Sequence, residues 1–262
     1  MSWRAFIEDA RPAEHAVQVY SGVDELAGSV GAFVDAGLDA GAPAVVIATP
    51  PHWERIAAEL EARGRDVPSL RSDGSLVYRD AEEALASVMA GDLPDVRRFE
   101  QLAGSLIDEV SARSPGRNVR AFGEMVDLLW RRGRHAAALA LEALWDDLAL
   151  THRFCLLCGY ELDVFDVDVQ RSLPAVLGAH SVSWPADPSR LGAAVDEALR
   201  RGLGPIGTAR AYLEVAEQIP HGGIPRPQAV LQWVSALEPS TARRVLEAAR
   251  TSYTRPPDGH EL

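Results

Sequence analysis

The run Arg153-Phe-Cys-Leu-Leu-Cys-Gly-Tyr160 is almost wholly apolar and too short for a buried helix, so it reads as a strand covered on both faces of a parallel sheet. It closes a unit that opens with a second short strand, Asn118-Val-Arg-Ala-Phe122. Between the two, Met125, Leu128, Leu129 and Trp130, and then Leu141, Leu144, Trp145 and Leu148, recur at helical spacing. Each helix therefore has one apolar face to lay on the sheet, and Trp130 and Trp145 are expected in the core. Strand, helix, helix, strand is the grammar of an α/β fold.

The rest of the N-terminal half repeats it. Ala16-Val-Gln-Val-Tyr20, Pro43 to Ala48 and Ser75-Leu-Val-Tyr78 read as strands; Ser21 to Leu38, Trp53 to Arg63, Ala81 to Ala90 and Val96 to Arg113 read as helices, with Gly and Pro between elements. About five strands alternating with helices predict a mostly parallel sheet with helices on both faces. A further helix spans Val164 to Leu177, and Trp184-Pro-Ala-Asp-Pro188 marks a boundary. Beyond it come four short helical patterns, 189–201, 206–219, 227–237 and 240–253, and no strand signal. Residues 1–186 are thus expected to form the α/β domain and residues 187–262 an all-helical module. So small a module has little core of its own and should associate with the sheet domain, a second copy or a partner.

Charge and cysteine usage remove several function classes. A formal net charge of −12 disfavours attraction to phosphate backbones or anionic lipid, and residues 187–262 carry nine arginines against nine acids, so nucleic acid is not expected as a partner. No stretch reaches the roughly 18 apolar residues of a membrane span, and the start lacks an apolar leader, so a cytoplasmic protein is expected. All 26 basic residues are arginine, which excludes any mechanism that needs a lysine of this chain. Cys155 and Cys158 form a C-x-x-C, but residues three apart on a strand face opposite ways and no second Cys or His pair stands at zinc spacing. Core packing is expected of both, with no metal and no cofactor.

His15 to Tyr20, Ala44-Val-Val-Ile-Ala-Thr49, Arg120-Ala-Phe-Gly-Glu-Met-Val126, Leu129-Trp130, Leu141-Glu-Ala-Leu-Trp145 and Phe154-Cys-Leu-Leu-Cys-Gly-Tyr160 together resemble the MEDS family, the sensory domain named for methanogens, methylotrophs and the dichloromethane-responsive regulator. The resemblance covers about residues 14–181. It implies a degenerate RecA-like fold and a role in sensing a ligand within signalling or transcription proteins. The departure from working ATPases is legible in the residues: a P-loop needs glycines and a lysine around the phosphates, whereas Tyr20-Ser-Gly-Val-Asp-Glu-Leu-Ala-Gly-Ser29 offers Asp24, Glu25 and no lysine. Without that positive charge phosphoryl transfer loses its main stabilisation, so no enzymatic activity is expected.

The expected site lies at the C-terminal ends of the strands, where open parallel sheets hold ligands. Glu124, Tyr20, Thr49 and Tyr160 should converge there. Arg120, four residues before Glu124 on the same face of its strand, is a candidate partner for that carboxylate, and His15 is a candidate at the opposite mouth of the first strand. His52, His135 and His152 read as surface or helix-end residues, and His180 as closing the motif-bearing core. The function expected is a non-catalytic sensor binding a small ligand or a signalling partner, with a second copy as one of the three candidates for docking on the helical tail. Two alternatives stay open: a nucleotide-binding protein or weak ATPase using the same crevice with arginines, and a transcription regulator.

Overall fold

Residues 3–180, 182–185, 188–218 and 224–255 are described by a computed structural model of the chain. The first helix, α1 (Trp3–Asp9), precedes β1 (His15–Tyr20), α2 (Val23–Asp39), β2 (Ala44–Ala48), α3 (Pro50–Ala62), α4 (Val67–Asp73), β3 (Leu76–Asp80) and α5 (Ala81–Val88). A small hairpin, β4 (Met89–Ala90) and β5 (Leu93–Pro94), leads to α6 (Val96–Phe99), a π-helical turn (Glu100–Gly104) and α7 (Ser105–Arg113). Then follow β6 (Val119–Gly123), α8 (Met125–Arg131), α9 (His135–Ala149), β7 (Phe154–Glu161), α10 (Val167–Gly178), β8 (Val182–Pro185), α11 (Pro188–Gln218), α12 (Arg226–Ser235) and α13 (Pro239–Thr254).

The helices begin where local chemistry starts them. Asp66, Asp80 and Asp95 each accept a backbone N–H from the first turn of α4, α5 and α6, and Pro50 opens α3, where its missing N–H costs nothing.

Six strands form one sheet in the order β3-β2-β6-β7-β1-β8, every pair parallel. Alternation along the strands divides their side chains between two faces. Ala16, Tyr20, Ala44, Val46, Phe122, Cys155 and Leu157 pack with residues of α1 to α4, among them Phe6, Phe33, Ile56 and Leu60. The other parity meets α9: Phe154 lies edge-on to Trp145, which in turn meets Phe99 edge-on at 4.9 Å. Burial of such a ring contributes about 1.5–3 kcal/mol, so this stack anchors α9 to the sheet. On the first face α2 approaches β6 so closely that a Cβ on Gly37 would lie 2.4 Å from Arg120 Cγ.

Several elements depart from the sequence reading. The sheet has six strands and not five, because β8 pairs with β1 in the stretch read as a domain boundary. Four residues ending in proline carry no alternation signal, yet they suit an edge strand that needs one partner only. Helices α1 and α4 and the hairpin β4–β5 are likewise too short for periodicity, and the helix read through Ala90 stops at Val88.

The chain divides into two compact units, Met1–Glu161 with Gly178–Ala186, and Leu162–Leu177 with Asp187–Leu262. Helix α10, assigned to the sheet domain by the sequence reading, thus groups with the C-terminal helices. The four helical patterns of the tail are present, the first two joined as α11 around Gly204. Its φ of 70° and ψ of 178° fall in a region open essentially to glycine alone, and Pro205 follows, so α11 bends there. The expectation of little core fails, since Phe165, Leu191, Val195, Leu199, Val215, Val230, Leu231, Val245 and Leu246 form a buried cluster of this unit's own. All but Phe165 of these residues come from the tail itself.

Candidate functional site

Two buried polar clusters lie in the sheet unit, one on each face. The first forms where the sheet's connections diverge. From β2 the chain runs outward to β3, whereas from β6 it runs the other way to β7, and such a divergence between neighbouring strands leaves a crevice at their C-terminal ends. Glu124 stands at this point, directly after β6, with 0% of its surface exposed. Its carboxylate accepts the Thr49 backbone N–H and pairs with His52 Nδ1 at 2.5 Å. That hydrogen bond raises the His52 pKa against the opposing effect of burial.

Tyr20, at the end of β1, places its ring edge-on to His52 with centroids 6.0 Å apart. The Tyr20 hydroxyl is buried and has no hydrogen-bond partner among the described residues. Asp127, three residues past Glu124, is also fully buried. Its Oδ1 accepts the Glu161 N–H at 2.9 Å, and Arg131 Nε lies 2.9 Å from Oδ2. Burial pushes the Asp127 carboxyl up to about 7, with Arg131 and the Glu161 amide pulling the other way. Next to this cluster, the turn after β1 is occupied by its own acid: Glu25 Oε2 accepts the Ser21 backbone N–H at 2.8 Å, and Asp24 pairs with Arg55.

The second cluster lies on the face covered by α9. Glu142 of α9, fully buried, accepts the Tyr160 hydroxyl at 2.7 Å, and its two oxygens lie 3.3 Å from His15 Nε2 and 3.3 Å from His180 Nε2. Cys158 Sγ is 3.4 Å from Glu142 and 3.3 Å from His15 Nε2. One helical turn on from Glu142, Asp146 accepts from His15 Nδ1 at 2.8 Å. Burial disfavours a charge on His15, but Asp146 and Glu142 outweigh it and raise its pKa to about 9. Burial likewise drives the Cys158 thiol upward, and the Glu142 charge adds to it.

The six candidate residues are distributed over three places. Tyr20, Thr49 and Glu124 come together at the C-terminal ends of β1, β2 and β6, linked through His52. Tyr160 does not join them: it is level with Val19 in the β1–β7 register, so it has the opposite parity to Tyr20 and faces α9. Arg120 does not pair with Glu124 either, because four strand residues separate them by about 13 Å even on one face. Its guanidinium instead donates to the Phe6, Ile7 and Glu8 carbonyls at the end of α1, 4.9 Å above the Phe33 ring. His15 belongs to the second cluster. Cys155 and Cys158 are both buried and free, on opposite faces of β7 as the alternation requires.

Sequence reasoning passed over His52, Asp127, Glu142, Asp146 and His180 as site residues. Three signals were available. Asp127 follows Glu124 by three and Asp146 follows Glu142 by four, spacings that put each pair on one side of a helix, and Glu142 is the single acid within the apolar run Ala136 to Trp145.

A parallel sheet flanked by helices, carrying buried acids at its switch point and followed by a helical region, defines an α/β domain protein. Its family is shown by the family model described as MEthanogen/methylotroph, DcmR Sensory domain (MEDS), which matches residues 14–176. That is more than half of the chain, and the chain belongs to this family of sensory domains. No curated protein and no solved structure is significantly similar to it. Among the described residues no helix is long and apolar enough to cross a membrane.

Proposed function

We propose that the chain is a non-catalytic sensor whose α/β unit binds a small, partly apolar molecule at the β2–β6 crevice. The observation that carries this reading is the Tyr20 hydroxyl, buried without a partner beside the His52–Glu124 pair. An unpaired buried hydroxyl costs about 1–3 kcal/mol, which a ligand with a hydrogen-bonding group could relieve. The Glu25 carboxylate on the Ser21 amide supports a ligand other than a nucleotide, because it repels phosphate at the position a P-loop would use.

A thermal-shift screen of small alcohols, amides and halogenated hydrocarbons, with ATP and magnesium as comparison, tests the reading. Tyr20→Phe is expected to leave the unliganded protein as stable or slightly more so, and to weaken any hit about 2–10-fold, the worth of one hydrogen bond. Glu124→Gln should also weaken it. Stabilisation by ATP with magnesium and by none of the small molecules would refute the proposal.

The helical unit is the proposed route to a second copy. Ile206 and Leu213, 86% and 65% exposed, stand seven residues apart on one side of α11. Ile206→Glu with Leu213→Glu should keep the circular dichroism spectrum and lower the mass found by light scattering; an unchanged mass removes this surface from the proposal.

A further inference from the structure

We propose that His15, Glu142, Cys158 and His180 form a binding site for one divalent transition-metal ion of the zinc class. Each side chain offers one ligand atom, and these atoms all lie within 4.8 Å of one another. Tetrahedral zinc, with bonds of 2.0–2.3 Å, holds its ligand atoms about 3.3–3.8 Å apart. Three contacts fall in that range, His15 Nε2 to Cys158 Sγ at 3.3 Å, Cys158 Sγ to Glu142 Oε2 at 3.4 Å and His15 Nε2 to the same Oε2 at 3.3 Å, while His180 Nε2 stands 3.3 Å from the other carboxylate oxygen, Oε1.

Charge and surroundings point the same way. A divalent ion with one carboxylate, one thiolate and two neutral imidazoles is electrically neutral, which is the arrangement a fully buried site tolerates best. The residues that orient the ligands are also in place. Asp146 holds His15 Nδ1 at 2.8 Å, which fixes the ring so that Nε2 faces the cluster, the carboxylate–histidine arrangement of metal sites. Tyr160 donates to Glu142 from the other side. Imidazole and thiolate donors favour zinc over magnesium or calcium. Four protein ligands leave no position for water, so the ion would be structural, tying β1, α9, β7 and the segment after α10 to one point.

No sequence motif announces this set, because its members lie at positions 15, 142, 158 and 180 and are brought together only by the sheet order that puts β1 beside β7.

Elemental analysis of the purified full-length chain, followed by titration of chelator-treated protein with cobalt(II) and then zinc, tests the site. We expect one ion per chain, a thiolate-to-cobalt charge-transfer band in the near ultraviolet, and its loss on adding zinc. Cys158→Ser should abolish the band, whereas Cys155→Ser, the thiol on the other face, should keep it. Asp146→Asn should keep the band and weaken binding about 10–100-fold. The proposal is overturned if wild-type protein contains no metal and shows no saturable cobalt band, or if the band persists in Cys158→Ser. Should Cys158→Ser fail to fold, Cys155→Ser decides alone, since loss of its band would place the ion on the wrong cysteine.

Discussion

Glu142→Ala is expected to lower the unfolding free energy by about 3–5 kcal/mol, the usual cost of removing one partner from a buried ionic cluster. Burial opposes the Glu142 charge, yet His180 and His15 outweigh it and hold the carboxyl well below the usual carboxylate range. Deleting it leaves two imidazoles, a thiol and the Tyr160 hydroxyl around a void with no acceptor. For a chain of this length the melting midpoint should fall by about 10 °C. Urea denaturation in the presence of a chelator measures the cost of the side chains alone. Glu8→Ala, which removes only an exposed helical pair with Arg4, serves as the control. A loss below about 1 kcal/mol for Glu142→Ala would mean that the cluster contributes to recognition and not to the fold.

Stability should also fall as the pH rises from about 4 to about 7, and Asp127 is the main cause. Its carboxyl has the ordinary value of 3.8 in the unfolded chain and is pushed up to about 7 by burial in the folded one. Between those values the native state keeps a proton that the unfolded state has released, so the contribution is fully present below 3.8 and is lost on passing through 7. The span corresponds to at most about 4 kcal/mol. The groups facing Asp127 are Arg131 of its own helix, Glu124 at the end of β6 and Glu161 of β7, with Tyr20 and His52 beside them. The raised pKa of His52 acts in the same direction, since stability gained on its protonation also disappears as pH rises. Denaturation midpoints recorded from pH 4 to pH 8 should show the decline, and Asp127→Asn should flatten most of it. A wild-type curve that rises through this window would contradict the assignment.

Long periodic elements were legible in the sequence because their burial pattern is redundant. Five of the six parallel strands and helices α2, α3, α8 and α9 each repeat the same signal several times. What escaped is short or lies at an edge, as with α1, α4 and β8, where too few residues carry any period. The grouping of the candidate residues was legible by halves for a related reason. Glu124, Tyr20 and Thr49 come together, as their positions at strand ends require, whereas Tyr160 depends on a one-residue offset between β1 and β7 that no single-strand pattern contains. Arg120 shows the opposite limit: strand parity gave its face correctly and said nothing about distance along the strand. His15, Glu142 and His180 meet through the order of strands in the sheet, which becomes readable only after the chain is folded.

The chain crosses between its two units three times, at 161/162, 177/178 and 186/187, and this imposes a timetable on synthesis. Helix α10 leaves the ribosome before α11 to α13, the helices it groups with, while β8, made after it, belongs to the sheet already present. The nascent α10, whose buried Gln170 accepts from Gln228 of α12, must therefore wait for that partner until about fifty further residues have emerged, several seconds at ordinary elongation rates. A gene shortened at codon 186 would leave Gln170 without that partner. The two units interleave along the chain, so a faithful isolated sheet domain requires excision of residues 162–177 with a short bridging linker, and not removal of the tail alone.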